Sequence, residues 1–568
     1  PVALGAVPPR VLDDLVRWAA EQPAQTLMAE RDTDRSWRTL PYGDALERVR
    51  EIGAGLLERR ASAERPVAIV AENGIAHALV AFAAMYAGVP VSPLSAAYAR
   101  PDADLERLAG LLELVEPAVV FAGDARIAER VRAARLGVAV VTSPDELRAH
   151  PATADAAFAR VGPQTVAKLL FTSGSTGAPK AVVTTNRMMA ANQTMQAQAW
   201  PDTIDSPVLV DWLPWSHVFG GSFTVGFALR NGGTLYVDAG KPAPGAFAIT
   251  LENLREIAPT SYYNVPLGYA LLIDALEDDA TLAAFFFSRL RLICNAGAAL
   301  APAARERLEG LIARYATRNV HIIMPWGTTE TAPMATGNWG DPLPKPDTIG
   351  VPVPGVEIKL APVDDRYEIR VRGANVTPGY WRNPEATATA FDEDGFYCTG
   401  DAGELRNPAD PAEGIVFAGR IAENFKLSSG TWVNVGALRL ALLDAGAPLI
   451  EDVVIGGHDS ASLVAMVFVR LDAARALAGL PEADHAALAG HAAVRGHVRG
   501  SLAAHNARNG ATSTRIARAV ILPEGPRRGD GEITDKGTIN QRRALTLRAA
   551  TVASLTGTTV TEDIIVPA

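Results

Sequence analysis

Cysteine is nearly missing: only Cys294 and Cys398 occur in 568 residues. Neither has a partner at the spacing of a metal site or a redox pair. That excludes a disulfide framework and a cysteine zinc ribbon, and it fits a reducing cytoplasm. Positive charge is also in short supply. With a formal net charge of -10, the chain lacks the electrostatic basis for nonspecific nucleic-acid binding, and no nucleic-acid partner is expected. Long apolar runs are lacking too. The opening PVALGAVPPR has no extended apolar region of a secretory signal, and no targeting segment is expected elsewhere. The uncharged stretch from Gly74 to Ala99 contains His77, Gly88, Pro90 and Pro93. It therefore reads as a buried helix over 75–86 turning into a strand, not as a membrane span, and no stable membrane insertion is expected.

What is present is an ordinary globular composition, 48% apolar and 20% charged, at a length that calls for two or more domains. Short apolar segments, VAIVA (67–71), AVVFAG (118–123) and VAVVT (138–142), alternate with helix-like Ala, Arg and Leu stretches. This pattern predicts an α/β architecture with a largely parallel sheet. It continues through TLYVDAG, TSYYNVPL, LRLICNAG and VHIIMPWG, whose polar and glycine-rich ends should form ligand-binding crevices. From Glu357 the strands become shorter and alternating, which predicts a small β-rich subdomain. After Gly419 a polar stretch leads to a compact tail with its own strands, EDVVIGG and LVAMVFV. The Ala/Arg-rich helices from Leu471 to Ala507 read as an insertion of structural role only.

The most informative segment is LFTSGSTGAPK (170–180). Small residues let backbone N–H groups crowd an anion, hydroxyls add donors, and a terminal lysine supplies a point charge, as a polyphosphate requires. Apolar segments on both sides argue against a solvated linker. The spacing is not that of a Walker A loop, because Gly174 and Gly177 are too close and Pro179 and Ala181 flank Lys180. A hydrolytic P-loop ATPase is disfavoured on that ground.

In order after this loop come NAGAAL (295–300), PWGTTE (325–330), YCTGD (397–401), GRIAENFK (419–426) and ITDKG (533–537). The series resembles the adenylate-forming (AMP-binding) superfamily of acyl-CoA synthetases, peptide-synthetase adenylation domains and beetle luciferases, and the resemblance covers essentially the whole chain. It implies a large N-terminal domain of layered α/β subdomains plus a small β-rich one (1–419), followed by a smaller mobile α+β domain (420–568). It also implies ATP, Mg2+ and CoA as reactants with a small carboxylic acid. By the same resemblance, the loop of Thr172, Ser173, Gly174, Ser175, Thr176, Gly177 and Lys180 holds the β and γ phosphates. Gly327, Thr328 and Thr329 belong to the nucleotide site, with Thr329 at the α-phosphate. Glu330 is the magnesium ligand, and magnesium commonly takes one or two carboxylates plus substrate phosphates. Trp326 stacks on adenine, Asp401 receives the ribose hydroxyls and Arg420 is its cationic companion. Lys536 bridges the acid and the α-phosphate. Lys426 serves thioester formation after the C-terminal domain turns about a hinge expected at Ala422, where relatives commonly carry Asp or Lys, so that either the pivot uses Glu423 or the hinge needs only torsional freedom. A non-catalytic acyl-adenylate binder would be expected to lack Lys180, Glu330, Asp401 or Lys536, and all four are present.

At finer grain, LVDWLPWSHVFGG, NGGTLYVDAGKPAP and GRIAENFKLSSGTWVNVG resemble bacterial feruloyl-CoA synthetases. This implies activation of a hydroxycinnamic acid, with benzoate-like or medium-chain acids as the alternative and a carrier protein as an alternative acceptor. The acyl pocket is then expected from Trp215, His217, Phe219, Val265, Ala296, Gly297 and Ala298, with His217 as a wall or gate. A homodimer is left open.

Overall fold

Runs such as VAIV and VVFA, apolar at every position, can satisfy their backbone only by pairing on both edges while burying both faces. In the computed structural model, which describes residues 2–567 apart from 102, 135–136, 173–178, 244, 528–530 and 534–538, they lie at the centre of a six-stranded sheet. Its order is Ala139–Val141, Val119–Ala122, Val67–Val70, Val91–Leu94, Val166–Thr172 and Lys180–Thr185. All neighbours are parallel except the last pair, an antiparallel hairpin in which Thr172 faces Lys180. The sequence expectation of a largely parallel sheet holds, and Thr172 and Lys180, the ends of the glycine-rich segment, are paired across this hairpin. The helix over Ile75–Tyr86 forms where expected and is buried on almost every side.

Two further sheets share the main core. One runs Trp37–Pro41, Thr26–Arg31, Thr234–Val237 and Val208–Asp211. The other is parallel, from Ser261–Asn264, Leu292–Asn295 and His321–Ile323. The β-rich part expected from Glu357 is a four-stranded antiparallel sheet, Val356–Val363, Arg366–Gly373, Tyr397–Leu405 and Ile415–Arg420.

The C-terminal part has its own sheet, Ile450–Gly456, Leu463–Val469 and Ile516–Ile521, with apolar clusters on both faces. Those clusters begin at Phe425, whereas the main one ends near Val376, so the cores segregate along the chain. The helices between Leu471 and Arg508 differ from expectation. Val494, Val498 and Leu502 of Ala492–Arg508 are fully buried against the C-terminal sheet's core. They are integral to that core, not an appended insertion. Among the described residues no helix is long and apolar enough to cross a membrane.

Candidate active site

The hairpin carrying Lys180 gains an extra neighbour. Val183 N–H bonds to Gly379 O at 3.1 Å and Trp381 N–H to Ala181 O at 2.8 Å, so the segment around Tyr380 runs beside Lys180–Thr185 as a short additional strand. The half-buried Lys180 ammonium thereby sits 5.1 Å above the Tyr380 ring. Tyr380 Oη in turn donates to Glu330 Oε1 at 3.0 Å and lies 3.5 Å from Tyr397 Oη. Glu330 is buried in a short turn, Thr329–Thr331, directly after the strand Trp326–Gly327. Its backbone carbonyl accepts from Thr377 N–H at 2.8 Å. Thr328 N–H bonds to Thr331 Oγ1 at 2.8 Å and shapes the start of the turn. Residues 180, 330, 380 and 397 are thus joined in one charged and phenolic cluster. Neither tyrosine is among the expected site residues: Tyr380 lies outside every motif, and Tyr397 opens YCTGD, where Asp401 draws the attention.

A second cluster adjoins the same turn. Trp326, half-buried, donates its indole N–H to Asp401 Oδ2 at 3.2 Å. Asp401 is 4% exposed, and its cross-strand partner Arg420 places Nε 3.5 Å from Oδ1. Oδ1 has no hydrogen-bond partner among the described residues, and neither does the buried Thr328 Oγ1. Burial pushes the Asp401 carboxyl up to about 6, with Arg420 and Trp326 pulling the other way. Both clusters lie at ends of the elements that the sequence motifs mark.

The residues expected to line an acid pocket come from three segments. The loop before His217 is pinned by Asn73, whose Nδ2 donates to Leu213 O and whose Oδ1 accepts from Trp215 N–H, each at 2.9 Å. Trp215 itself is in the main core, edge-on to His77 at 5.2 Å between ring centroids. Burial holds His77 down to about 4, so that histidine is a neutral packing group. Phe219 opens a π-helical turn, Phe219–Thr224, and packs with Tyr263 at 6.2 Å. Val265 follows Tyr263 by two residues and is buried. Gly297, in the left-handed region at φ +89°, brings its α-carbon to Val265: a Cβ added there would lie 3.6 Å from Val265 Cγ1. Asn295 Nδ2 holds Ala298 O at 3.0 Å, closing the Ala296–Ala298 turn, and Gly297 and Ala298 are exposed.

Lys426 is exposed on the short strand Phe425–Lys426, its ammonium 4.7 Å over the Trp432 ring. Ser173, Gly174, Ser175, Thr176 and Gly177 of the loop, and Lys536, lie outside the described residues. No group of three or more His, Cys, Asp or Glu suited to a metal occurs among the described residues. The single carboxylate of Glu330 still fits magnesium, because that ion fills its shell largely from phosphates and water.

The AMP-binding enzyme family model matches residues 15–381. A carboxylic acid reductase from Segniliparus rugosus is 30% identical over 64% of this chain, and the chain spans 31% of the length of that relative. A sulfoacetate–CoA ligase from Cupriavidus necator is 28% identical over 85% of this chain and 92% of its own length. Among solved structures, the A domain of the Segniliparus rugosus reductase, bound to AMP and a co-purified carboxylic acid, superposes with a TM-score of 0.73. It is 20% identical, with 96% of this chain and 94% of that chain covered. The motif order, the fold and the matched residues agree: this chain belongs to the AMP-binding enzyme family, the adenylate-forming superfamily.

Proposed function

We propose that this chain is a cytoplasmic AMP-forming acid–CoA ligase and that its acid is a hydroxycinnamate such as ferulate, coumarate or caffeate. The observation that carries the nucleotide half is the Oδ1 of buried Asp401, which faces Arg420 across 3.5 Å and has no hydrogen-bond partner among the described residues, beside Trp326. A buried acceptor left unmade is costly, and a ribose hydroxyl is a donor that would satisfy it. Trp326 then offers adenine the face of its indole. The Thr172–Lys180 loop takes the β and γ phosphates and Thr329 the α-phosphate. Glu330, oriented by Tyr380, is the magnesium ligand. When bound, the ion neutralises phosphate charge.

In the first half-reaction the acid's carboxylate oxygen bonds to the α-phosphorus as the bond to pyrophosphate breaks. Lys536 offsets the charge shared by the acid and the α-phosphate. In the second, a CoA thiolate attacks the acyl carbon and AMP departs, with Lys426 brought to the adenylate. The division into 1–419 and a mobile 420–568, turning near Ala422, is supported by the segregated cores. A relative named as a CoA ligase supports free CoA as acceptor. The aromatic and small walls at Phe219, Val265 and Gly297 support a flat apolar acid.

The direct test is pyrophosphate release with ATP and magnesium across a panel of acids, with and without CoA. Turnover confined to hydroxycinnamates, with a CoA thioester as product, is the expected result. Preference for benzoic or medium-chain acids would keep the chemistry and overturn the substrate, and no acid-dependent pyrophosphate would overturn both. Substituting a phosphopantetheinylated carrier for CoA separates the two acceptors.

Asp401 also sets a pH dependence. Its folded-state value of about 6 lies above the ordinary 3.8, so the folded protein holds this proton more tightly than the unfolded chain. The residue therefore withdraws stability as pH rises from about 4 to about 6 and has no further effect above that. Ribose hydroxyls need the ionised acceptor. AMP affinity measured by calorimetry should therefore weaken roughly tenfold per pH unit below about 6 and lose that slope in Asp401→Asn. A flat affinity between pH 5 and 7 in the unaltered protein would remove Asp401 from the ribose site.

A further inference from the structure

Lysine in the middle of an otherwise apolar strand is an expensive choice, because an ammonium taken out of water is retained only where something compensates it. Lys168 lies on Val166–Thr172, between Val91–Leu94 and Lys180–Thr185, and is 5% exposed. Burial alone acts on its ammonium, bringing it down to about 8, and no carboxylate counters it among the described residues. Its Nζ instead donates to Gly221 O, inside the π-helical turn Phe219–Thr224.

That turn also takes outside donors. A π-helical turn carries one residue more than an α-helical one: its backbone bonds run from i to i+5, as Val225 N–H to Gly220 O does here, and side chains from other elements reach the carbonyls in between. Here Lys168 takes Gly221 O, while Gln193, 4% exposed on the helix Asn186–Ala199, donates Nε2 to Phe223 O at 3.1 Å and Ser222 O at 3.4 Å. Three consecutive carbonyls are therefore held by two side chains reaching in from other elements. Thr224 Oγ1 adds a bond to Phe219 O at 3.0 Å, and Gly221 N–H bonds to His217 O at 2.8 Å. The turn presses on the Asn73-pinned loop so closely that a Cβ on Gly221 would fall 2.1 Å from Trp215 O. Relaxing to an α-helix would rotate the preceding residues by roughly 100° for the one residue lost, moving Phe219 away from Tyr263.

We infer that Lys168 and Gln193 are positioning residues that lock the Phe219–Thr224 turn in its π form and thereby set which acids the enzyme accepts. This rests on the adenylation reading above, with Phe219 and Val265 as pocket walls. Neither side chain reacts. Each acts through the wall it holds, so the acid half of the site, not the nucleotide half, should register its loss.

The experiment uses the full chain as Lys168→Met, Lys168→Arg and Gln193→Leu, with KM for acid and for ATP and the ranking of acids read from pyrophosphate release. Lys168→Met should raise KM for the preferred acid roughly tenfold or more, the scale of a lost charged hydrogen bond. KM for ATP should stay within about twofold, the ranking of acids should flatten, and Lys168→Arg should restore most of the preference. Gln193→Leu removes the side-chain donor to the two neighbouring carbonyls without touching Lys168, so it carries the same test should Lys168→Met fail to fold. Unchanged acid KM and ranking, or acid and ATP KM rising together, would overturn the inference alone. Absence of acid-dependent pyrophosphate release in the unaltered protein would overturn the adenylation reading, and this inference with it.

Discussion

Lys536→Ala should lower acid-dependent pyrophosphate release about 10²- to 10³-fold, equivalent to ~3–4 kcal/mol, the cost of removing one preorganised group aimed at charge that develops in the transition state. In the proposed first half-reaction the attacking carboxylate and the α-phosphate are both anionic, and a cation between them is worth most as the new bond forms. Once the adenylate exists that demand is gone. Transfer of a chemically prepared acyl adenylate to CoA should therefore proceed at nearly the unaltered rate in the same variant. The two half-reactions measured separately give a sharp reading. If both slow equally, Lys536 has a general structural role; if neither slows, the lysine of ITDKG is not the catalytic one.

Much of this arrangement was legible along the chain because each motif follows a strand whose apolar run is itself a local signal. Glycine, threonine and carboxylate residues at the ends of VAKLLF, VHIIMPW and GFYCTGD mark crevices by chemistry and position together. The π-helical turn was not legible, because the side chains that reach its carbonyls come from residues 168 and 193, far away in sequence. Lys168 was nevertheless a clue in plain view, a charge within a buried strand. The helix Asn186–Ala199 hid its contribution differently. Asn192, Gln193 and Gln196 are all buried, so its polar residues face inward and amphipathic periodicity points the wrong way. Tyr380 reaches Glu330 only because residues 377–381 run beside the Lys180 hairpin, a pairing between distant segments that no local pattern announces.

Breaking the Glu532–Arg548 pair should produce the largest loss of stability in the C-terminal part. Glu532 is fully buried and Arg548 is 6% exposed. The guanidinium grips the carboxylate through Nε and through Nη2 at 2.9 Å, reaches Glu524 at 3.1 Å and lies 5.2 Å over the Phe468 ring. Glu532 Oε2 also accepts Arg527 N–H at 2.8 Å, and its carbonyl accepts Asn540 N–H at 2.8 Å. Removing one partner strands the other charge in the interior, which typically costs about 3–5 kcal/mol. Arg548→Met should accordingly lower the corresponding melting transition by on the order of 10 °C. The pair lies at the base of the segment that contains Lys536, with Ile533 and Ile539 bridged beside it, which gives it a second consequence. An apolar replacement of both partners, Glu532→Leu with Arg548→Met, can recover stability because two well-packed side chains often match a buried ion pair. It cannot restore the acceptor for Arg527 N–H. The double variant should therefore melt near the unaltered protein while still releasing pyrophosphate more slowly. Recovery of both properties together would mean the pair contributes packing alone, and a single variant that melts unchanged would mean the interior of this part is far wetter than its burial implies.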